Sequence, residues 1–147
     1  MKDVPQRLIL TPVPTEFVDA IWGQVADVLR KSVDTAQGKL DVDDVYKEVM
    51  SGEYVLWVVI DYSIGDEVVA AITTKLLEYP KRTAMSMDWI GGTRMKEWLP
   101  MAQETISRYA RDHGCSHLEG YGRKAWGRWL SKYGWEPEYI AYRMELE

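Results

Sequence analysis

Two groups of residues in this chain have types and spacings that bear on chemistry. His113, Cys115 and His117 recur at intervals of two. Imidazole and thiolate suit zinc, but Gly114 breaks the element between them and no clear fourth ligand is near, so no metal is expected. Arg123, Lys124 and Arg128 interleave with Trp126 and Trp129. That pattern can stack on bases and neutralise phosphates, and it is also the pattern of a Trp pair in a core with basic residues at its wet edge. The chain contains no Gly-x-Ser-x-Gly elbow, no P-loop and no cysteine nucleophile with a positioned base, so the hydrolase and nucleotide-phosphate chemistries built on those motifs have no footing here.

The elements that must position these residues follow from hydrophobic period. A short strand is expected near Arg7 to Thr11, then a helix opened by Thr15 with Phe17, Val18, Ile21, Trp22, Val25 and Leu29 facing inward. A second helix starts at Asp41, with Asp44 in its first turn and Leu40 and Val45 at staple spacing, and Ser51-Gly52 ends it. Glu53 to Tyr62, Glu67 to Glu78 and Arg82 to Ile90 read as three successive strands separated by turn residues, and Gly91-Gly92 lets the third leave the sheet. Met95 to His113 has helical period through Trp98, Met101, Ala102, Ile106, Tyr109 and Ala110, with Pro100 either kinking it or moving its true start to Leu99. His117 to Tyr121 is a short strand, and Arg123 to Tyr133 is a helix stopped by Gly134. Trp135 to Leu146 alternates Tyr139, Ala141, Arg143 and Glu145 against Ile140, Tyr142, Met144 and Leu146, and reads as a closing strand with two unlike faces.

Composition bounds the partners. At 147 residues and 46% hydrophobic, with seven Trp and nine Tyr, the chain can bury one sizeable core, and no linker divides it, so residues 1–147 are read as one domain. The net charge of −5 argues against a broad nucleic-acid or anionic-membrane surface. Cys115 is the only cysteine, which rules out an internal disulfide, and Met1 to Leu10 lacks the apolar core of a signal peptide, so a cytoplasmic setting is expected. No apolar run approaches the roughly 20 residues that span a bilayer.

The summed order, β-α-α-β-β-β-α-β-α-β, is an α+β arrangement: a mostly antiparallel central sheet with helices on both faces. It resembles the GNAT acyl-CoA N-acyltransferase superfamily over nearly the whole chain. The sequence support lies between Thr105 and Leu146, where Tyr-Ala-Arg-Asp-His-Gly at 109–114 looks like the family's helix end. Ala125 to Trp135 looks like its next helix and Gly-aromatic corner, here Gly134-Trp135. The chain looks like a diverged small member, of the kind encoded by tailed bacteriophages.

The resemblance implies acetyl-CoA as co-substrate and a pyrophosphate held by backbone N–H groups in a Gly-rich turn before the long helix. Here that turn reads Gly91-Gly92-Thr93-Arg94-Met95-Lys96, with the glycines freeing amides and Arg94 and Lys96 adding charge, opposed by Glu97; a plain strand-to-helix connection is the other reading. Gly92→Pro is then expected to weaken CoA binding without unfolding the protein. The tyrosine that protonates the CoA thiolate in many members is replaced by Leu130, leaving Tyr133 or Tyr121 as substitutes, and the family's base points to Asp88 or Glu119. Met87 to Ile90 and Leu118 to Tyr121 would line the slot, unless Trp89, Trp98 or Trp126 fills it. The implied activity is acyl transfer, in the first place acetyl, to an amine. The second reading is a catalytically silent protein of the same fold, a binding or structural subunit with a protein partner or a second copy, such as a virion component.

Overall fold

The computed structural model describes residues 7–34, 38–121 and 126–146. Five strands form one sheet in the order β1-β2-β3-β4-β5. They are β1 (Leu8–Val13), β2 (Val55–Asp61), β3 (Glu67–Glu78), β4 (Thr83–Gly92) and β5 (His117–Gly120). The first three pairings are antiparallel and β4–β5 is parallel. The helices are α1 (Thr15–Asp34), α2 (Val42–Met50), α3 (Met95–Asp112) and α4 (Trp126–Leu130), the last continued by a 3-10 turn over Ser131–Tyr133. No helix among the described residues is long and apolar enough to cross a membrane.

Strand alternation sorts the apolar residues between two cores. On one face Val18, Val25, Leu29 and Val33 of α1 and Val45 and Val49 of α2 pack with Leu56 and Val58 of β2. On the other, Trp98, Leu99, Ala102, Ile106 and Ala110 of α3 pack with Trp57 and Val59, the intervening residues of the same strand. The buried Trp57 Nε1 donates to Thr74 Oγ1 at 2.9 Å, so its polar atom costs nothing unpaired.

Local signals account for the helix starts. Asp41 caps α2 by accepting from the amides of Asp43 and Asp44, and Asp44 reaches back to the Asp41 N–H at 3.0 Å, a reciprocal box. α3 begins at Met95 and runs through Pro100, so the start does not move to Leu99. Pro100 is the sixth helical residue, where it forfeits one bond to the preceding turn, and the burial of Trp98 and Leu99 beside it offsets that loss.

Two expectations differ. Phe17 is 60% exposed, because it lies about 100° round the helix from the fully buried Val18. Trp135 to Leu146 forms no strand: the segment joins none of the five strands of the sheet. A strand needs a partner for its backbone groups, and the alternation that marks it as strand-forming provides none.

Candidate active site

β4 and β5 stay together for only four register pairs, from Ala84↔His117 to Met87↔Gly120. Beyond these, β5 stops while β4 runs on to Gly92, and a cavity of about 500 Å³ opens in the fork. β4 supplies Met87, Asp88, Ile90, Gly91 and Gly92 to its wall, and the end of β5 supplies Gly120 and Tyr121. Leu99, Leu130 and Trp135 close it on one face, and Val28, Lys31 and other residues of α1 on the opposite face. Trp89 and Trp98 are not among the lining residues. Trp98 is fully buried under α3, and Trp89 packs with the α1–α2 core. The Trp126 side chain lies outside what is described.

Asp88 occupies an irregular position. Met87 pairs with Thr74 and Trp89 with Thr73, so Asp88 is the additional residue of a β-bulge, a device that re-aims a side chain. The Trp89 amide is taken by Thr73 Oγ1 at 3.1 Å. The Asp88 carboxylate accepts from Tyr54 Oη at 3.0 Å and from Ser86 Oγ. Burial, with the Asp88 charge beside it, raises the Tyr54 phenol to about 12. Tyr54 also borders a second cavity of about 320 Å³, with Leu40, Asp44, Val45, Glu48, Lys75 and Trp89, on the α2 side of the sheet. The Tyr54–Asp88 bond therefore joins the walls of the two cavities.

Glu119 lies elsewhere. It is buried and accepts from Tyr79 Oη at 2.9 Å, and its other oxygen meets His117 Nε2 at 2.8 Å. The hydrogen bond to Glu119 lifts the Tyr79 phenol to about 12. His117 Nδ1 faces Ser116 Oγ at 2.8 Å, so the consistent tautomer donates from Nε2 to Glu119. Neither Glu119 nor Leu118 lines the β4–β5 cavity. His113 turns away from His117, its Nδ1 lying 2.8 Å from the Tyr109 carbonyl.

Tyr133 packs its ring edge-on against Trp129 at 5.4 Å and stands outside the cavity lining. Its carbonyl accepts from Gln103 Nε2 at 2.8 Å, while Gln103 Oε1 accepts from Trp135 Nε1 at 2.8 Å. With Gly134 at φ 91°, this single glutamine fixes the Gly-Trp corner. Tyr121 is the phenol that reaches the cavity, and burial followed by its bond to Tyr139 raises its pKa. Arg123 and Lys124 lie outside the described residues; Arg128 is exposed.

The turn after β4 is more committed than the sequence implied. Gly91 and Gly92 pair with Ala71 and Ala70 inside the ladder, and the Thr93 amide donates to the Val69 carbonyl at 3.1 Å. A Cβ on Gly91 would come within 2.1 Å of the Val28 carbonyl oxygen, so this glycine exists to let α1 lie against β4. Gly92 has φ +135° and a Cβ there would sit 2.4 Å from Val69 O, so Gly92→Pro would break the β3–β4 edge instead of acting on binding alone. Arg94 is spent on structure: Nη1 donates to Asp61 Oδ2 at 2.6 Å, and Nε and Nη2 donate to Glu97 at 2.8 and 3.0 Å. The Arg94 bond to Asp61, with those from Ser63, holds the Asp61 carboxyl down at about 2. Trp98 Nε1 donates to the Thr93 carbonyl at 2.7 Å and anchors the turn. What the turn leaves is the start of α3 itself, where Arg94 at φ 60° makes no side-chain cap and Lys96 is exposed. The Glu97 amide already donates to the Arg94 carbonyl at 2.9 Å, so the first-turn amides without a carbonyl partner in the helix are those of Met95 and Lys96.

The α1 residues on the cavity wall have no local signature, and only Gly91, read as a close-approach glycine, points toward them.

No family model matches the chain, and no curated protein matches it by sequence. Solved structures do match over almost its full length. A possible acetyltransferase from Clostridium difficile 630 is 18% identical at a TM-score of 0.65, covering 95% of this chain and 98% of that one. An aminoglycoside acetyltransferase from an uncultured soil metagenomic sample is 11% identical at 0.70, covering 99% and 100%. Glucosamine-6-phosphate N-acetyltransferase from Arabidopsis thaliana is 12% identical at 0.66, covering 95% and 99%. The chain has the GNAT acyltransferase fold.

Proposed function

We propose that this protein is an N-acyltransferase that moves an acyl group, in the first place acetyl, from acyl-CoA to an amine. The observation that carries the reading is the open fork between β4 and β5 with Asp88 set on a bulge at its side. An elongated apolar arm with a reactive end fits a cleft walled by Met87, Ile90, Leu99 and Leu130. The uncapped first turn of α3, with Lys96 beside it, suits an anionic group at the cleft's mouth, as does Lys31 on the α1 side. Arg94 takes no part, since its donors already meet Asp61 and Glu97.

Asp88 acts as the base. It takes a proton from the substrate ammonium, whose nitrogen then attacks the thioester carbonyl carbon. Tyr54 orients the carboxylate through its hydrogen bond. Because a bulged residue stands outside the ladder, the Asp88 N–H is the donor we assign to the oxyanion of the tetrahedral intermediate. When the intermediate collapses, the carbon–sulfur bond breaks and Tyr121, whose raised pKa keeps it protonated, gives its proton to the thiolate. Glu119 and Tyr133 stand outside this reaction, as neither lines the cleft. The amine approaches through the second cavity, where Asp44 and Glu48 outnumber Lys75 and draw a cation toward Tyr54 and Asp88.

Titration calorimetry with acetyl-CoA tests this, with CoA and a nucleotide lacking the pantetheine arm as controls. Saturable binding that requires the arm is expected. Absence of binding at millimolar acetyl-CoA would overturn the assignment.

A further inference from the structure

One primary amine of the chain already stands beside the base. Lys75 and Ser86 are register partners on β3 and β4, so their side chains leave the sheet on one face with Cβ atoms roughly 5 Å apart. Ser86 Oγ bonds the Asp88 carboxylate. Asp88 follows Ser86 by two residues, roughly 6.6 Å along a strand, and a lysine stem built of bonds of about 1.5 Å spans much the same distance. The Lys75 ammonium is therefore within reach of Asp88.

What holds Lys75 in place holds it weakly. Its Nζ lies 3.5 Å from Glu53 Oε2 and 5.9 Å from the centre of the Tyr54 ring, and the Lys75 and Glu53 side chains are 35% and 57% exposed. An ion pair that open to water contributes little, and a long flexible stem gives up rotamer freedom to keep it. Tyr54 is also the residue whose hydroxyl bonds Asp88, so the amine rests on the ring that leads to the base.

The cavity around Lys75 is short of an acceptor. Trp89 Nε1 is buried without a hydrogen-bond partner among the described residues, although it stands close enough to Tyr54 to oppose the rise in that phenol's pKa. A buried N–H in that state keeps the cost of its lost hydration. Trp89 and Lys75 line the same cavity on the α2 side, with Asp44 and Glu48. A lysine ammonium offers donors only, whereas its amide also carries a carbonyl oxygen. That oxygen is the acceptor Trp89 lacks, and forming the amide removes the one cation among the residues that line this cavity.

We propose that the protein acylates itself: within one copy of the chain, the acyl group of bound acyl-CoA passes to Lys75 Nζ, and the amide is held in the second cavity. The inference rests on the acyltransferase reading above. Asp88 takes a proton from the Lys75 ammonium and the nitrogen attacks the thioester carbonyl carbon. A carbon–nitrogen bond forms, the carbon–sulfur bond breaks, and CoA leaves as the free thiol. Lys75 gives up two protons, one through Asp88 to water and one that replaces the proton Tyr121 hands to the thiolate. Lys31 also lines the first cavity, but on α1, at the mouth assigned to the anionic end of acyl-CoA.

Incubating the full chain with acetyl-CoA in an amine-free buffer, followed by intact-protein and peptide mass spectrometry, tests it. One acetyl group per chain is expected, on Lys75, at a first-order rate that does not change with protein concentration. Asp88→Asn should slow the addition by on the order of 10²-fold. Lys75→Arg, which keeps the charge without a nucleophilic amine, should abolish it with circular dichroism unchanged. Acetyl groups spread over the chain's lysines or placed on Lys31, a rate that rises with protein concentration, or an equal Lys75 rate in Asp88→Asn would each overturn the inference. So would transfer to an added amine with Lys75 left unmodified, an outcome under which the acyltransferase reading stands; failure to bind acetyl-CoA in calorimetry removes both.

Discussion

Gly91→Ala puts the packing beneath the cleft to a quantitative test. The new Cβ would stand 2.1 Å from the Val28 carbonyl oxygen and 3.1 Å from the Leu29 Cα, both backbone atoms of α1. Carbon contacts are comfortable near 3.5–4.0 Å, so α1 must retreat by roughly 1 Å or more. That helix buries Val18, Val25, Ala26, Leu29 and Val33, and a gap of 0.5–1 Å forfeits about a quarter to a half of each contact's attraction. Overpacking costs about 1–3 kcal/mol, and a backbone neighbour that cannot rotate away puts this case near about 3. At about 2–4 °C per kcal/mol for a chain of this size, the melting temperature should fall by roughly 6–12 °C. Gly23→Ala is the control, within α1 itself and with nothing within 4 Å of the added methyl. There the change removes a helix-interior glycine and should stabilise by up to about 1 kcal/mol. Thermal and urea unfolding followed by circular dichroism would measure both. An unchanged midpoint for Gly91→Ala, or equal shifts for the two variants, would refute the close-packing role. Since α1 also walls the cleft, acyl-CoA affinity should fall with Gly91→Ala even well below the melting temperature.

Three other outcomes follow. Asp88→Asn should lower kcat by on the order of 10²-fold or more while acetyl-CoA affinity holds, measured as release of the CoA thiol with a saturating amine; an unchanged kcat would remove Asp88 as base. Tyr121→Phe should also lower kcat by on the order of 10²-fold. Because the Tyr121 phenol is raised above its ordinary 10.0, the wild-type rate should show no basic limb below that pH, and a limb well under it would assign the proton to another group. The Asp61 carboxyl is depressed from 3.8 to about 2, so the stability it contributes is fully present above 3.8 and is lost as pH falls through about 2. Acid titration of the unfolding midpoint should therefore drop less steeply across that window in Asp61→Asn than in wild type, and parallel curves would show that the Arg94 pair is not linked to folding.

The parts of this fold legible in the residues are those specified within a turn or two of chain. Asp41 and Asp44 announce the start of α2 because a capping box needs only four residues, and β3 spans Glu67–Glu78 as its pattern implies because turn residues bracket an unbroken β-forming run. Gly134 marks its corner because the required φ of 91° is a property of one residue. The chemistry depends on another scale. Asp88 is conspicuous as a carboxylate in a strand, yet its aim depends on a bulge set by the register with β3, and registers belong to pairs of strands. Arg94 reads as a phosphate ligand until Asp61, 33 residues away, takes its Nη1. Glu119 and Asp88 look alike in sequence, and the fork between β4 and β5 places one beside the cleft and the other with Tyr79 and His117. α1 joins the cleft because Gly91 lacks a side chain, an absence whose meaning appears only when another helix lies across it. Residues 135–146 show the same division: their alternation specifies a strand's two faces, but a strand is completed by hydrogen bonds to a neighbour, and no stretch of sequence contains its own neighbour.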